Sequence, residues 1–284
     1  MKRIILIIIA ACMFLAAAAI IAYPLVANYI NDKYQSLVRS DYTKEIQELG
    51  TEEIESAKAA AQSYNDSLAP LRYNREAVQA ASVDYESLLN LNGSGIMGFV
   101  EVPRLGINLP IYHGTGETVL EQGVGHLVGS SLPVGGESSH AVLTGHSGVA
   151  GNKLFSDLDQ LRTGDVFYLR VLDETLAYQV QEISKVLPYE TELLAPVHGE
   201  DLCSLITCYP YGVNTHRLVV RGSRIPYEEA IVVEENTADE PVKSTWKEQY
   251  YHGLLIGGGS ALGTVIIGLC IVLLRKKRRA RHAK

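Results

Sequence analysis

The sequence predicts a mainly β fold: an eight-stranded barrel preceded by N-terminal helices and flanked by two transmembrane helices. Three observations predict it. Between residues 96 and 224, eight short β-prone runs are separated by Gly, Pro, Asn and Ser. Ahead of them, two stretches carry apolar residues at helical spacing. Near the two ends lie two uncharged apolar segments, each with basic residues on one side.

The apolar segments come first. Residues 4–22 follow Lys2 and Arg3, and residues 253–274 precede a tail of seven Lys and Arg. Each is about as long as a helix needs to cross the hydrocarbon core. Basic flanks stay on the cytoplasmic side, so both termini are expected inside the cell and the chain between them outside. A signal peptide cut near Ala16–Ala22 is the rival reading of the first segment, and a buried core helix that of the second. The expected layout is an anchor at 1–27, a helical region at 28–94, the barrel at 95–226 and a linker at 227–252. A span at 253–274 and a basic tail at 275–284 complete it.

In the helical region, Tyr34, Val38, Tyr42, Ile46 and Leu49 form one stripe, and Gly50 stops it. Thr51 is placed to cap a second helix, with Glu52 and Glu53 in its first turn. Ile54, Ala57, Ala61, Tyr64 and Leu68 give its stripe, and Pro70 ends it. The pair is expected to be a stalk or a packing layer. A short helix is expected from Ser82 to Leu89. The predicted strands run over 96–102, 109–112, 126–128, 141–144, 166–171, 176–186, 202–208 and 218–224, with a short amphipathic helix at 153–161. Residues 227–250 are acidic and weakly periodic, as a linker would be.

Charge and cysteine usage narrow the function. Setting aside Lys2, Arg3 and the seven basic tail residues leaves 16 basic against 32 acidic residues, a net charge of −16. A domain that acidic is a poor nucleic-acid binder. The basic tail suits anionic lipid at the inner face. Cys12 and Cys270 fall in the two apolar segments. Cys203 and Cys208 are five apart on one predicted strand, so they face opposite ways and lie too far apart to bridge. A free thiol outside the membrane is thus expected.

Residues 202–220 carry the chemistry. Two β-prone runs flank Tyr209-Pro210-Tyr211-Gly212, a turn by composition. Pairing about that turn sets Cys208 opposite Arg217, and a nearby cation favours the thiolate. The alternative on this stretch alone is a small buried Cys beside a surface Arg. Leu205-Ile206-Thr207-Cys208, with Arg217 nine residues on in His216-Arg217-Leu218-Val219-Val220-Arg221-Gly222, resembles the signature of sortases, membrane-bound cysteine transpeptidases. Residues 132–146 and 109–114 resemble the pilin-polymerising class C group in particular.

That resemblance implies an eight-stranded barrel over residues 80–226 and a catalytic role for His146, in Thr144-Gly145-His146-Ser147-Gly148. Cys208 would attack the scissile carbonyl, His146 would move protons, and Arg217 would donate to the substrate carbonyl or oxyanion. No Asp or Glu is identifiable from the sequence as a third member orienting His146. His113, His126, His140 and His198 lack such a context, and His216, next to Arg217 on a strand, points to the other face. No cofactor is expected, and no metal-binding spacing is present.

The implied substrates are pilin or surface proteins with a C-terminal signal similar to Leu-Pro-x-Thr-Gly, passed to a lysine amine. A wall-anchoring sortase using a peptidoglycan-precursor amine is one alternative. A non-catalytic, membrane-tethered binding barrel is another. Class C members commonly carry an Asp-Pro-aromatic lid over the cysteine. Residues 71–82 contain no Asp-Pro, so Cys208 is expected to be uncovered.

Overall fold

The computed structural model describes residues 2–68, 84–91, 93–148 and 152–237, and parts of 242–263. Contacts divide the chain into residues 1–243 and residues 244–284. In the second unit, residues 250–260 are helical. Most of the second expected span, Pro70 and residues 71–82 with their expected lack of a lid all lie outside the described residues.

Helix α1 (Lys2–Glu48) is continuous through Pro24. The sequence suggested a span and then a separate helix. A proline costs a soluble helix one hydrogen bond and a steric clash, but it is tolerated in membrane-type helices. Among the described residues, α1 is the one helix long and apolar enough to cross a membrane. Helix α2 (Thr51–Leu68) follows. Its start differs by one residue from expectation: the Glu53 carboxylate accepts from the Gly50 N–H, so Gly50 takes the cap position.

The two helices form a packing layer. Tyr42 and Ile46 of α1 and Ala61 and Tyr64 of α2 join the main core. The Tyr42 hydroxyl donates to the Met97 carbonyl at 3.2 Å and accepts from the Leu172 N–H at 3.0 Å. Asn65 bonds both backbone groups of Leu132. Of the helix expected from Ser82 to Leu89, the described residues 84–89 hold one 3-10 turn, Tyr85–Ser87, with Tyr85 buried.

Eight strands close a barrel in the order β1-β2-β3-β4-β7-β8-β6-β5. They are β1 (Ile96–Val102), β2 (Ile107–His113), β3 (Val124–His126), β4 (Ser139–Thr144), β5 (Val166–Val171), β6 (Glu174–Val186), β7 (Asp201–Tyr209) and β8 (His216–Ile225). β2–β3 and β4–β7 are parallel, and the other pairs are antiparallel. Phe99, Ile111, Leu143, Phe167, Leu169, Tyr178 and Leu205 fill the interior, all fully buried. Gly222 is small by necessity, because a Cβ there would sit 2.6 Å from the Phe167 ring.

Between β2 and β3 lies a short helix, α3 (Glu117–Gln122), which the periodicity did not announce. The helix expected at 153–161 is a series of turns with one 3-10 turn, Leu158–Gln160. Its leucines still enter the core, so their side-chain pattern was sound and the backbone shape was not. Helix α4 (Tyr227–Thr237) occupies part of the expected linker. It seats Ala230 and Val233 on Val166, Tyr168 and Ala177 outside the barrel, and Tyr168 donates to Glu234 at 2.7 Å.

Candidate active site

The alternation along β7 sorts its residues between two surfaces. Cys203 and Leu205 belong to the interior core, whereas Ile206 belongs to a cluster outside the barrel with Val142 and Val219. Cys208 shares the parity of Ile206, so it lies on the outer face. It is half-buried and unbonded to another cysteine. Cys203 is fully buried, and burial, then the nearby Asp201 carboxylate, pushes its thiol well above the ordinary range.

The register pairs Cys208 with Arg217 and Tyr209 with His216. Arg217 therefore stands directly across from the thiol. One guanidinium nitrogen donates to the carbonyls of Asn214 (3.3 Å) and His216 (3.1 Å), which aims the group along the turn. That turn is closed by N–H bonds from Val213 and Asn214 to the Pro210 carbonyl. His216 bonds the neighbouring Thr215 hydroxyl at 2.9 Å. Tyr209 accepts a hydrogen bond from Lys185, whose ammonium lies 4.3 Å from the tyrosine ring centre.

His146 sits two residues past β4, and β4 runs beside β7. Three hydrogen bonds fasten its loop to the end of β7. The Gly145 N–H donates to the Ile206 carbonyl at 3.0 Å. The buried Thr207 hydroxyl donates to the Gly145 carbonyl at 2.8 Å. The Ser147 hydroxyl donates to the carbonyl of Cys208 itself at 2.9 Å. On the other side, the His146 carbonyl accepts from the Phe155 N–H, and the Phe155 ring lies where a Cβ on Gly145 would stand, 2.8 Å away. The His146 loop, Cys208 and Arg217 thus gather at one end of β4, β7 and β8.

A carboxylate faces the His146 ring. Nε2 lies 3.3 Å from Oε1 of Glu117, within ion-pairing distance but off the hydrogen-bond direction. Local sequence could not show this contact. It joins residues 29 apart through the β2–β3 connection, and the only local sign was an acid after Gly116.

Three other histidines hold structure. His126 donates from Nε2 to the Ser131 carbonyl and takes the Tyr85 hydroxyl at Nδ1. His140 lies between the Ala195 carbonyl and the Ser204 hydroxyl. Both ring nitrogens of His113 face carbonyl oxygens, those of Gly95 and Leu88. His198 is exposed. Among the described residues, no group of His, Cys, Asp and Glu is arranged to hold a metal.

The sortase domain family model matches residues 100–225. A sortase A of Streptococcus agalactiae serotype III (strain NEM316) is 30% identical over 176 residues, covering 60% of this chain and 68% of that protein. The crystal structure of sortase C1 from S. agalactiae is similar at 41% identity and a TM-score of 0.64, covering 66% of this chain and 98% of that one. The sortase C of Streptococcus pneumoniae, described in terms of catalysis and pilin substrate specificity, is similar at 40% identity and a TM-score of 0.60. It covers 67% of this chain and 97% of that one.

Proposed function

The chain belongs to the sortase family of cysteine transpeptidases, with class C structures among its neighbours, and on that premise we propose that it polymerises pilin subunits through Cys208, His146 and Arg217. The observation that carries this reading is the pairing of Cys208 with Arg217 beside a His146 loop bonded to the Cys208 carbonyl. The similarity to class C structures supports pilin as the substrate class.

The reaction divides into two acyl transfers. The Cys208 sulfur attacks the Thr carbonyl carbon of a signal similar to Leu-Pro-x-Thr-Gly. A C–S bond forms, the Thr–Gly C–N bond breaks, and the leaving glycine amine takes a proton from His146. A lysine amine of another subunit then attacks the thioester. His146 takes the amine proton, and the Cys208 sulfur leaves. Arg217 remains protonated throughout, so it donates to the oxyanion and accepts nothing. The apolar segments of the chain keep this chemistry at the membrane, with the barrel outside.

The test incubates the full chain, in detergent micelles, with a sorting-signal peptide. Intact and peptide-level mass spectrometry should show an acyl adduct on Cys208, and a pilin lysine should release it as an amide. An adduct on another residue, or cleavage that survives Cys208→Ala, would overturn the assignment.

A further inference from the structure

The contact between Glu117 and His146 assigns a role that deepens the proposal above and rests on it. We propose that Glu117 is a positioning residue for His146. Its carboxylate holds Nε2–H, so the proton exchanged with substrate amines travels through Nδ1.

Three features carry this. Nε2 of His146 is shielded from water, has no hydrogen-bond partner among the described residues and lies 3.3 Å from Oε1 of Glu117. A buried polar atom left without a partner is costly, and the imidazolium form needs an acceptor at both nitrogens. The Glu117 side chain is 76% exposed, so it can turn into line without repacking the core. Hydrogen bonds at a catalytic base are often misaligned before substrate binds and tighten afterwards. The partner held by one imidazole nitrogen decides which nitrogen is free to transfer a proton.

The elements around the loop bring other titratable groups. Cys208 and Tyr209 end β7, Arg217 begins β8, Tyr211 lies in the turn, and Lys153 and Asp157 follow the loop. Lys153 and Asp157 pair with each other, and Tyr209 is held by Lys185. Among the described residues, Glu117 is the carboxylate in ion-pair contact with the His146 ring.

The proton path balances. In acylation Nδ1–H of the imidazolium passes to the glycine amine, and in transfer Nδ1 takes a proton back from the lysine amine. Nε2–H stays with Glu117 through both steps, and the sulfur begins and ends as a thiolate.

The test compares Glu117→Gln and Glu117→Asp with the wild-type full chain in micelles, measuring kcat and KM for transpeptidation. An exposed carboxylate partner contributes modestly, so Glu117→Gln should lower kcat by about two- to five-fold with KM unchanged. Glu117→Asp should recover part of the lost kcat, and high salt should shrink the gap between wild type and Glu117→Gln. An unchanged kcat in Glu117→Gln, or a change confined to KM, would overturn the positioning role while His146→Ala remains inactive. Wild-type turnover in His146→Ala would overturn both this role and the reading of His146.

Discussion

Two cysteines five residues apart on one strand have different surroundings, and the difference makes them separable. Cys203 is locked in the interior and its thiol is held in the neutral form by burial. Cys208 lies half-buried across from a guanidinium. Cys208→Ala should abolish peptide cleavage, whereas Cys203→Ala should keep it while losing about 1 kcal/mol of stability to a small cavity. Equal loss of cleavage in both, measured beside urea unfolding, would contradict the split. Arg217 is harder to replace than its charge suggests. One nitrogen of its guanidinium already bonds two carbonyls of the turn, and the group has further N–H donors besides. A lysine has one ammonium for all of these tasks. Arg217→Lys should therefore lose about 10²- to 10³-fold in kcat, the size expected for an oxyanion donor. Near-normal turnover would mean that charge alone suffices there. The Cys208–Arg217 pairing was legible because a hairpin's register follows from its turn, which is local information. Glu117 was not, because its contact with His146 depends on how β2, β3 and β4 stack.

At the scale of elements, the site depends on hydroxyls that fasten the His146 loop to β7. The Thr207 side chain points away from Cys208, yet it donates to the carbonyl just before His146. Thr207→Val keeps shape and volume but leaves the Gly145 carbonyl unpaired, which costs about 1–3 kcal/mol when such a group is buried. We expect a lower urea midpoint together with a fall in kcat, since the loop carrying His146 is released. Ser147→Ala should do less to stability, because its oxygen is only part-buried, while still lowering kcat. Unchanged kcat in both variants would mean that the loop is fixed by other contacts. The strands around this staple were legible from alternation and turn residues, to within two residues at each end for all eight. The helices were less so. Residues 117–122 form too short a run for a 3.6-residue period to show. Helix α4 looked like a linker because its acids dominate the composition, although Ala230 and Val233 reach the barrel. Helix α1 hid its continuity behind Pro24, a residue that ends most soluble helices.

At the scale of the whole molecule, two buried histidines join loop segments to the barrel, and both do so uncharged. His126 ties Tyr85 and Ser131 to β3. His140 ties Ala195, in the β6–β7 connection, to Ser204 on β7. Burial pushes each down to about 4; a carbonyl bond offsets this in part, and His113 or Arg221 adds to it. The ordinary value of 6.5 applies in the unfolded chain, so between pH 6.5 and 4 the unfolded chain binds more protons than the folded one. Stability from these residues is then full above about pH 6.5 and drains as pH falls toward 4. Going from pH 7 to pH 5 should remove about 2 kcal/mol per histidine. Asp201 works the other way. Burial raises its carboxyl despite bonds from Gly136 and Tyr178, so the folded state holds that proton more tightly and acid favours it. A difference between variants cancels the aspartate. His140→Asn cannot take up the second proton, so its urea midpoint should fall less than the wild type's between pH 7 and pH 5. Parallel midpoint curves for the two proteins would show that His140 carries its proton in the folded state and that the β6–β7 connection is held in some other way.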